Sequence, residues 1–235
     1  MSNPKTLLIT GASRGLGRGL AELYAERGHK VFGCARGGSD FSHANYRHFI
    51  CDVADDEAVR GMFRDIGKES DGIDVLVNNA GASLVRPALL TTGEDAEAVI
   101  QTNVLGAFSC MREAAKQMKR ARQGRIINFT SISVPLESAG RALYSASKAA
   151  LENLTATLAR ELAPDDITVN TIGPSIVGGS GMVEEMSEAA LAEAREQLLK
   201  SATIEADEVA HAIDFLASDA ARNITNQVIY FGGVR

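Results

Sequence analysis

The sequence predicts a single α/β domain on a seven-stranded, mostly parallel sheet, doubly wound with helices on both faces. Three observations predict it. Short apolar runs alternate with longer stretches of helical periodicity along the whole 235 residues. A glycine-rich turn follows the first apolar run and opens the first helix. No Pro/Gly/Ser-rich linker, low-complexity tract or fixed-period repeat divides the chain, so one domain over 1–235 is expected. With 45% hydrophobic and 23% charged residues, the composition excludes disordered and collagen-like classes.

The apolar runs place strands at 6–10, 30–35, 46–51, 75–78, 125–130, 168–172 and 227–230. Helical patterns fall at 15–27, 55–69, 94–120, 143–162, 182–200 and 206–217. The N-terminal residues lead directly into the first strand without a signal-type apolar region, and no run approaches a membrane span. A cytoplasmic protein without a membrane partner is the expectation. The net charge is −6, with Lys and Arg scattered except in the run 116–125, so nucleic acid is not an expected partner. That run is expected to support a helix end through the macrodipole. Cys34, Cys51 and Cys110 are odd in number and far apart, and His29, His43, His48 and His211 lack ligand spacing. Neither a disulfide framework nor a metal site is expected.

The chemistry gathers at strand ends. Gly11, Ser13, Arg14, Gly15, Leu16 and Gly17 form a G-x-x-x-G-x-G turn between strand and helix. Glycines there allow close backbone approach, and the free N–H groups of a helix start face a diphosphate; a purely structural turn is the alternative. Strand two ends in Ala35 and Arg36, where an acidic residue would hold a free ribose 2'-hydroxyl. Arg36 and Arg14 instead suit a 2'-phosphate, which favours NADP(H) over NAD. Asp52 and Val53 after strand three are placed to meet an adenine, although Asp52 could equally cap the next helix. Asn78, Asn79, Ala80 and Gly81 after strand four suit a backbone passing close to a ligand, or a simple turn.

Three later features are weak alone. Asn103 sits within the helix at 94–120, where its amide competes for backbone bonds. Strand five delivers Ser131 at its C-terminal end, where open α/β sheets bind ligands. Tyr144 and Lys148 lie one helical turn apart on one face, so a cation near the phenol would favour its ionised form. The alternative for that pair is a surface Tyr packing on a Lys stem.

Taken in order and spacing, Thr10-Gly11-x3-Gly15-x-Gly17, Asn78-Asn79-Ala80-Gly81, Asn103, Ser131 and Tyr144-x3-Lys148 resemble the short-chain dehydrogenase/reductase superfamily over nearly the whole chain. The resemblance implies a Rossmann fold and carbonyl reduction by hydride transfer. Tyr144 would be the acid in reduction and the base in oxidation. Ser131 would hold the substrate oxygen, with Ser133 a less well spaced alternative. Lys148 would lower the Tyr144 pKa and hold the nicotinamide ribose, and Asn103 would anchor a water joining Lys148 to solvent. Asn79, Ala80, Gly81, Pro174 and Val177 would complete the cofactor site.

Within the superfamily, the chain is most similar to 3-oxoacyl-[acyl-carrier-protein] reductases, through Gly11-Ala12-Ser13-Arg14-Gly15, Gly124-Arg125-Ile126-Ile127-Asn128 and Ile224-Thr225-Asn226-Gln227. That implies NADPH-dependent reduction of a 3-oxoacyl thioester, as in fatty-acid or polyketide biosynthesis, with acyl carrier protein as a possible partner. Pro164-Asp165-Asp166 would repel an acidic carrier locally, while Arg120 and Arg122 keep docking open. A secondary-alcohol dehydrogenase and a non-catalytic dinucleotide-binding regulator are the alternatives. A homodimer or homotetramer is also implied. The pattern departs after strand six, where Ser175 replaces a Gly and Gly179 stands where a Thr would hold the carboxamide. This Gly-rich loop is expected to be mobile, with Ser180 or the backbone supplying the contact. Residues 182–200 would be the substrate lid, its Met182, Val183, Met186, Leu191 and Leu198 expected to pack on the body more than on a ligand.

Overall fold

Successive side chains on a strand leave opposite faces, so a strand covered on both sides reads as an unbroken apolar run. A computed structural model, which describes residues 3–179 and 188–234, shows this arrangement. Strands β1 (Thr6–Thr10), β2 (Lys30–Ala35), β3 (Tyr46–Ile50), β4 (Val75–Asn78), β5 (Gly124–Phe129), β6 (Ile167–Gly173) and β7 (Val228–Tyr230) form one sheet. Their order is β3-β2-β1-β4-β5-β6-β7, and every neighbouring pair is parallel. The helices are α1 (Gly15–Glu26), α2 (Asp56–Glu69), α3 (Gly93–Ile100), α4 (Ala107–Ala121), α5 (Ser133–Leu136), α6 (Ala142–Leu162), α7 (Glu188–Glu196) and α8 (Ala206–Ala217).

The two faces build two cores. Leu7, Ile9, Val31, Val75, Val77 and Ile127 pack with Leu20 and Tyr24 of α1 and with Val209, Ile213 and Leu216 of α8. Leu8, Phe32, Leu76, Ile126 and Val169 face the other way, onto Phe63 and Ile66 of α2, Met111 and Met118 of α4 and Leu151 of α6. The chain winds outward in both directions from the β1–β4 pair, which opens a crevice beyond the C-terminal strand ends there. Cys34, Cys51 and Cys110 are free and buried in the second core. Burial pushes the Cys51 thiol up to about 11 and the other two up as well, which keeps them unreactive.

The continuous helix expected at 94–120 is interrupted. A π-helical segment, Gln101–Gly106, joins α3 to α4. A π turn carries an extra residue and re-aims the side chains within it. Asn103 is thereby fully buried, with its amide bonded to other parts of the fold. Of the expected helix at 182–200, only Glu188–Glu196 is seen, and residues 182–187 lie outside the described part. Leu198 packs with Ile132 and Ile176 and Leu191 lies against them, so both are on the body. Among the described residues no helix is long and apolar enough to cross a membrane.

The basic run does serve a helix end. Lys119 and Arg120 sit in the last turn of α4, and Asp165 pairs with Lys119 at 3.0 Å and Arg122 at 3.7 Å. All of these precede β5 or β6, so within one chain they lie at the N-terminal strand ends, opposite the crevice. The question of whether Asp52 caps α2 is also answered: Asp55 does so, accepting from the backbone of Glu57 and Ala58. Replacing Asp55 with Ala is expected to cost about 1 kcal/mol in urea unfolding.

Candidate active site

The crevice starts from backbone that only glycine permits. Gly11 has φ +71°, and a Cβ on Gly17 would stand 2.3 Å from the Gly11 carbonyl and 2.4 Å from Asn79 Nδ2. The turn therefore folds flat against the end of β4. Thr10 Oγ1 accepts from the backbone of Asn79 at 3.1 Å and Ala80 at 2.9 Å, while Asn79 Nδ2 donates to Thr10 O at 2.9 Å. The start of α1 has no side-chain cap and no acidic residue in its first turn. Its free N–H groups and positive dipole end are thus open to an anion.

These elements border a cleft of about 980 Å³. It is lined by Gly11, Ser13, Arg14, Gly15, Leu16, Gly17 and Arg36 at one end. Asp52, Val53, Asn79, Ala80 and Gly81 follow, and Ser131, Tyr144, Lys148, Pro174 and Val177 close the other end. Every expected cofactor residue thus meets in one space. Arg14 and Arg36 are exposed and in no ion pair among the described residues. Asp52 is held by its own turn, accepting from Ala54 N at 3.0 Å.

Of the site residues, Asn103 alone stands behind the wall. Its Nδ2 donates to Ala82 O and Ser147 Oγ, both at 2.9 Å, and its Oδ1 accepts from Ala82 N at 2.7 Å. Asn103 Oδ1 and Lys148 Nζ both lie 3.4 Å from the point a Cβ on Gly81 would occupy. One Oδ1 lone pair remains to face that gap.

The reactive end is dry and polar. Tyr144 is 3% exposed and Lys148 4%. Burial raises the Tyr144 pKa, while a hydrogen bond with Ser131 and the charge of Arg141 pull it back. Ser131 Oγ also donates to Ser133 Oγ at 3.1 Å and accepts from Ser133 N at 3.1 Å. Ser133 is itself buried and engaged in this way, so Ser131 is the serine joined to the phenol. Lys148 Nζ donates to Phe129 O at 2.7 Å and stands 6.0 Å from the Tyr144 ring centroid. Burial pushes its pKa down to about 8. The net shift of Tyr144 is upward; the groups that oppose it are Ser131 and Arg141, while the Lys148 ammonium is turned to the Phe129 carbonyl.

Two contributors were missed in the sequence. Arg141, whose guanidinium carbon is 5.9 Å from the Tyr144 ring centroid, lines the cleft; its signal was a cation three residues before the Tyr. His48 of β3, which carries no ligand spacing, bridges Tyr46 OH and Gly37 O, both at 2.8 Å. A carbonyl only accepts, so Nε2 carries the proton and holds the loop after Arg36. No local pattern signals that bridge. The loop after β6, expected to be mobile, is pinned as far as Gly178, whose N–H donates to Ile204 O at 3.0 Å. Ser180 lies outside the described residues. Among those described, no cluster of three or more His, Cys, Asp or Glu could hold a metal ion.

A parallel sheet with a glycine turn and open helix start at its switch point defines a dinucleotide-binding α/β protein. Residues 5–191 match the family model for short chain dehydrogenase, and the chain belongs to that family of oxidoreductases. It is 34% identical to the 3-oxoacyl-[acyl-carrier-protein] reductase FabG of Staphylococcus aureus, covering 99% of this chain and 98% of that protein. The reductase of the same name from Escherichia coli is 35% identical, over 97% and 96% of the two chains. Among solved structures, ElxO with NADP bound superposes with a TM-score of 0.87 at 29% identity. 4-Hydroxyisoleucine dehydrogenase complexed with NADH gives 0.86 at 27%, and each match covers 97% of both chains.

The buried Lys148 carries a pH signature. Its folded pKa of about 8 lies below the ordinary 10.5, so between these values the unfolded chain holds more protons. Stability should therefore rise with pH across that interval. Denaturant titrations of wild type against Lys148→Met should show this rise in the wild type alone.

Proposed function

We propose that the protein reduces a ketone to a secondary alcohol with NADPH, Tyr144 serving as general acid. The observation that carries this reading is one cleft with two unlike ends. At one end an open helix start and two exposed guanidiniums suit a phosphorylated nucleotide; at the other a buried phenol is bonded to Ser131. The residues fit the cofactor because Gly11 and Gly17 let the turn fold flat against Asn79 and Ala80, which leaves the uncapped start of α1 facing the cleft.

A bound nicotinamide nucleotide supplies the hydride. The N–H groups of the α1 start bind its diphosphate, Arg14 and Arg36 its 2'-phosphate, and Asp52 and Val53 border the adenine. Asn79, Ala80 and Gly81 form the wall, with Pro174 and Val177 opposite. Ser131 Oγ, its one proton turned from Ser133 to the substrate, holds the substrate oxygen and Tyr144 OH gives it a proton, so charge developing there meets two donors in a dry site. A phenol is protonated at neutral pH, as an acid must be, and burial shifts its pKa further upward. Lys148 holds the ribose and, with Asn103 across the gap beside Gly81, provides a route for a single water to return the proton.

A 3-oxoacyl thioester is the substrate we favour, on the names of the curated relatives and on the apolar walls made by Ile132, Leu136, Ile176 and Leu198. Delivery by acyl carrier protein is favoured on the names of the same relatives alone, since Lys119, Arg122 and Asp165 lie opposite the crevice within one chain. A second reading, oxidation of a secondary alcohol, draws support from the dehydrogenase among the structural relatives. The same residues would serve it in reverse. The present Tyr144, Lys148 and Ser131 argue against a non-catalytic regulator. We also infer a cytoplasmic homodimer or homotetramer, supported by the exposed apolar residues Leu105, Phe215 and Val228, with residues 182–200 as the lid.

Absorbance at 340 nm across a ketone and 3-oxoacyl thioester panel tests this reading. Tyr144→Phe should lower kcat by about 100-fold or more. Replacing both Arg14 and Arg36 with Ala should raise KM for NADPH by about 100-fold, leaving NADH within about threefold. No NADPH oxidation by wild type across the panel, or full activity in Tyr144→Phe, would reject it. Gly81→Ala, which fills the gap between Asn103 and Lys148, should lower kcat about tenfold while thermal unfolding stays near wild type.

A further inference from the structure

Behind the reactive end, a carboxylate is held at the meeting of three strand ends. Glu152 lies on α6 one turn beyond Lys148, on the same side of the helix. Its Oε1 accepts from Thr130 Oγ1 and from Tyr230 OH, each at 2.6 Å. Thr130 stands between Phe129, whose carbonyl anchors Lys148, and Ser131. Tyr230 ends β7 and pairs with Gly173 at the end of β6, so closely that a Cβ there would lie 2.3 Å from the ring. From Gly173 the chain enters Pro174, whose carbonyl accepts from Ile132 N at 3.1 Å; Thr130 N in turn donates to Ile172 O at 2.9 Å. Burial and the Glu152 charge push the Tyr230 phenol up, so it remains a donor.

We propose that Glu152 is a positioning residue that acts through Thr130 to hold Ser131 against Tyr144. The proposal rests on the role of Ser131 in the reading above. The chemistry needed at position 152 is one oxygen with two lone pairs, which a carboxamide also offers and a methyl group does not. Without that oxygen, the Tyr230 hydroxyl loses this acceptor, the buried Thr130 hydroxyl is left with the Lys148 carbonyl at 3.4 Å, and the β5 end loses its tie to β7. A small displacement of Ser131 is costly, because misplacing a reacting group by about 1 Å can lower the rate about 100-fold.

The test measures kcat and KM on the full chain for Glu152→Ala and Glu152→Gln, each with Ser131 intact or replaced by Ala. Glu152→Ala should lower kcat about 10- to 100-fold with KM for NADPH within about threefold, and Glu152→Gln should restore kcat to within about threefold of wild type. In the Ser131→Ala background, Glu152→Ala should change kcat by less than about twofold. An unchanged kcat in Glu152→Ala, or a fully additive loss in the double variant, overturns the proposal. Should Glu152→Ala fail to fold, Tyr230→Phe and Thr130→Val each remove one contact and should show the same coupling to Ser131 with a smaller loss; additivity in both overturns it. Wild type inactive on every ketone would defeat the reading of function, and amide exchange then decides the positioning separately. The Thr130 and Ile132 amides should exchange about tenfold faster in Glu152→Ala or Tyr230→Phe while those of Leu8 and Val77 are unchanged. Unaltered protection at Thr130 and Ile132 overturns it.

Discussion

Everything at the reactive end depends on keeping the Lys148 ammonium out of water. An ammonium removed from solvent is costly unless polar groups replace its hydration, and here the Phe129 carbonyl does so at 2.7 Å. A carbonyl can be offered at a defined point only by a strand end that does not move. The end of β5 is fixed by its pairing with β4 and β6, and α6 is fixed by packing Leu151, Ala159 and Leu162 into the core beneath. Ser131 and Tyr144 then inherit their spacing from the same two elements. The site is thus as rigid as the packing between one strand and one helix.

The opposite end works by a different principle. The chain carries a net charge of −6, yet the cleft floor concentrates positive potential in the unpaired N–H groups of α1 and in Arg14 and Arg36. What holds this end open is backbone packing: Gly11 and Gly17 let the turn lie against Asn79, and Thr10 ties that contact with two hydrogen bonds. The His48 bridge to Gly37 extends the same economy to the loop beyond Arg36. One end thus presents preset donors suited to an anion, and the far end a preset phenol and hydroxyl.

Several features were legible because they are local. The strands at 6–10, 30–35 and 75–78 were placed to the residue, since a strand buried on both faces leaves a run that helical periodicity cannot imitate. The residues that line the cleft were legible through motif spacing. The π segment at Gln101–Gly106 was not, because it is a single short segment whose backbone bonding no residue pattern specifies. Only the peculiarity of a mid-helix Asn103 pointed to it. Asp165 looked like a barrier to an acidic partner, yet its charge is balanced by Lys119 and Arg122 from a helix more than forty residues earlier.

By itself the sequence determined the doubly wound parallel sheet, the nucleotide turn, the two guanidiniums and the Tyr144 and Lys148 pair. Each is written in the order of residues along a single strand, turn or helix. Only the tertiary structure decided that Lys148 points to Phe129 O, that Ser131 and Arg141 act on Tyr144, and that Asn103 braces Ala82 against Ser147. The joining of Thr130, Glu152 and Tyr230 belongs with these. The physical reason is that hydrogen bonds and burial depend on distances between elements, which arise when β5, β6, β7 and α6 pack together and leave no mark on any one segment.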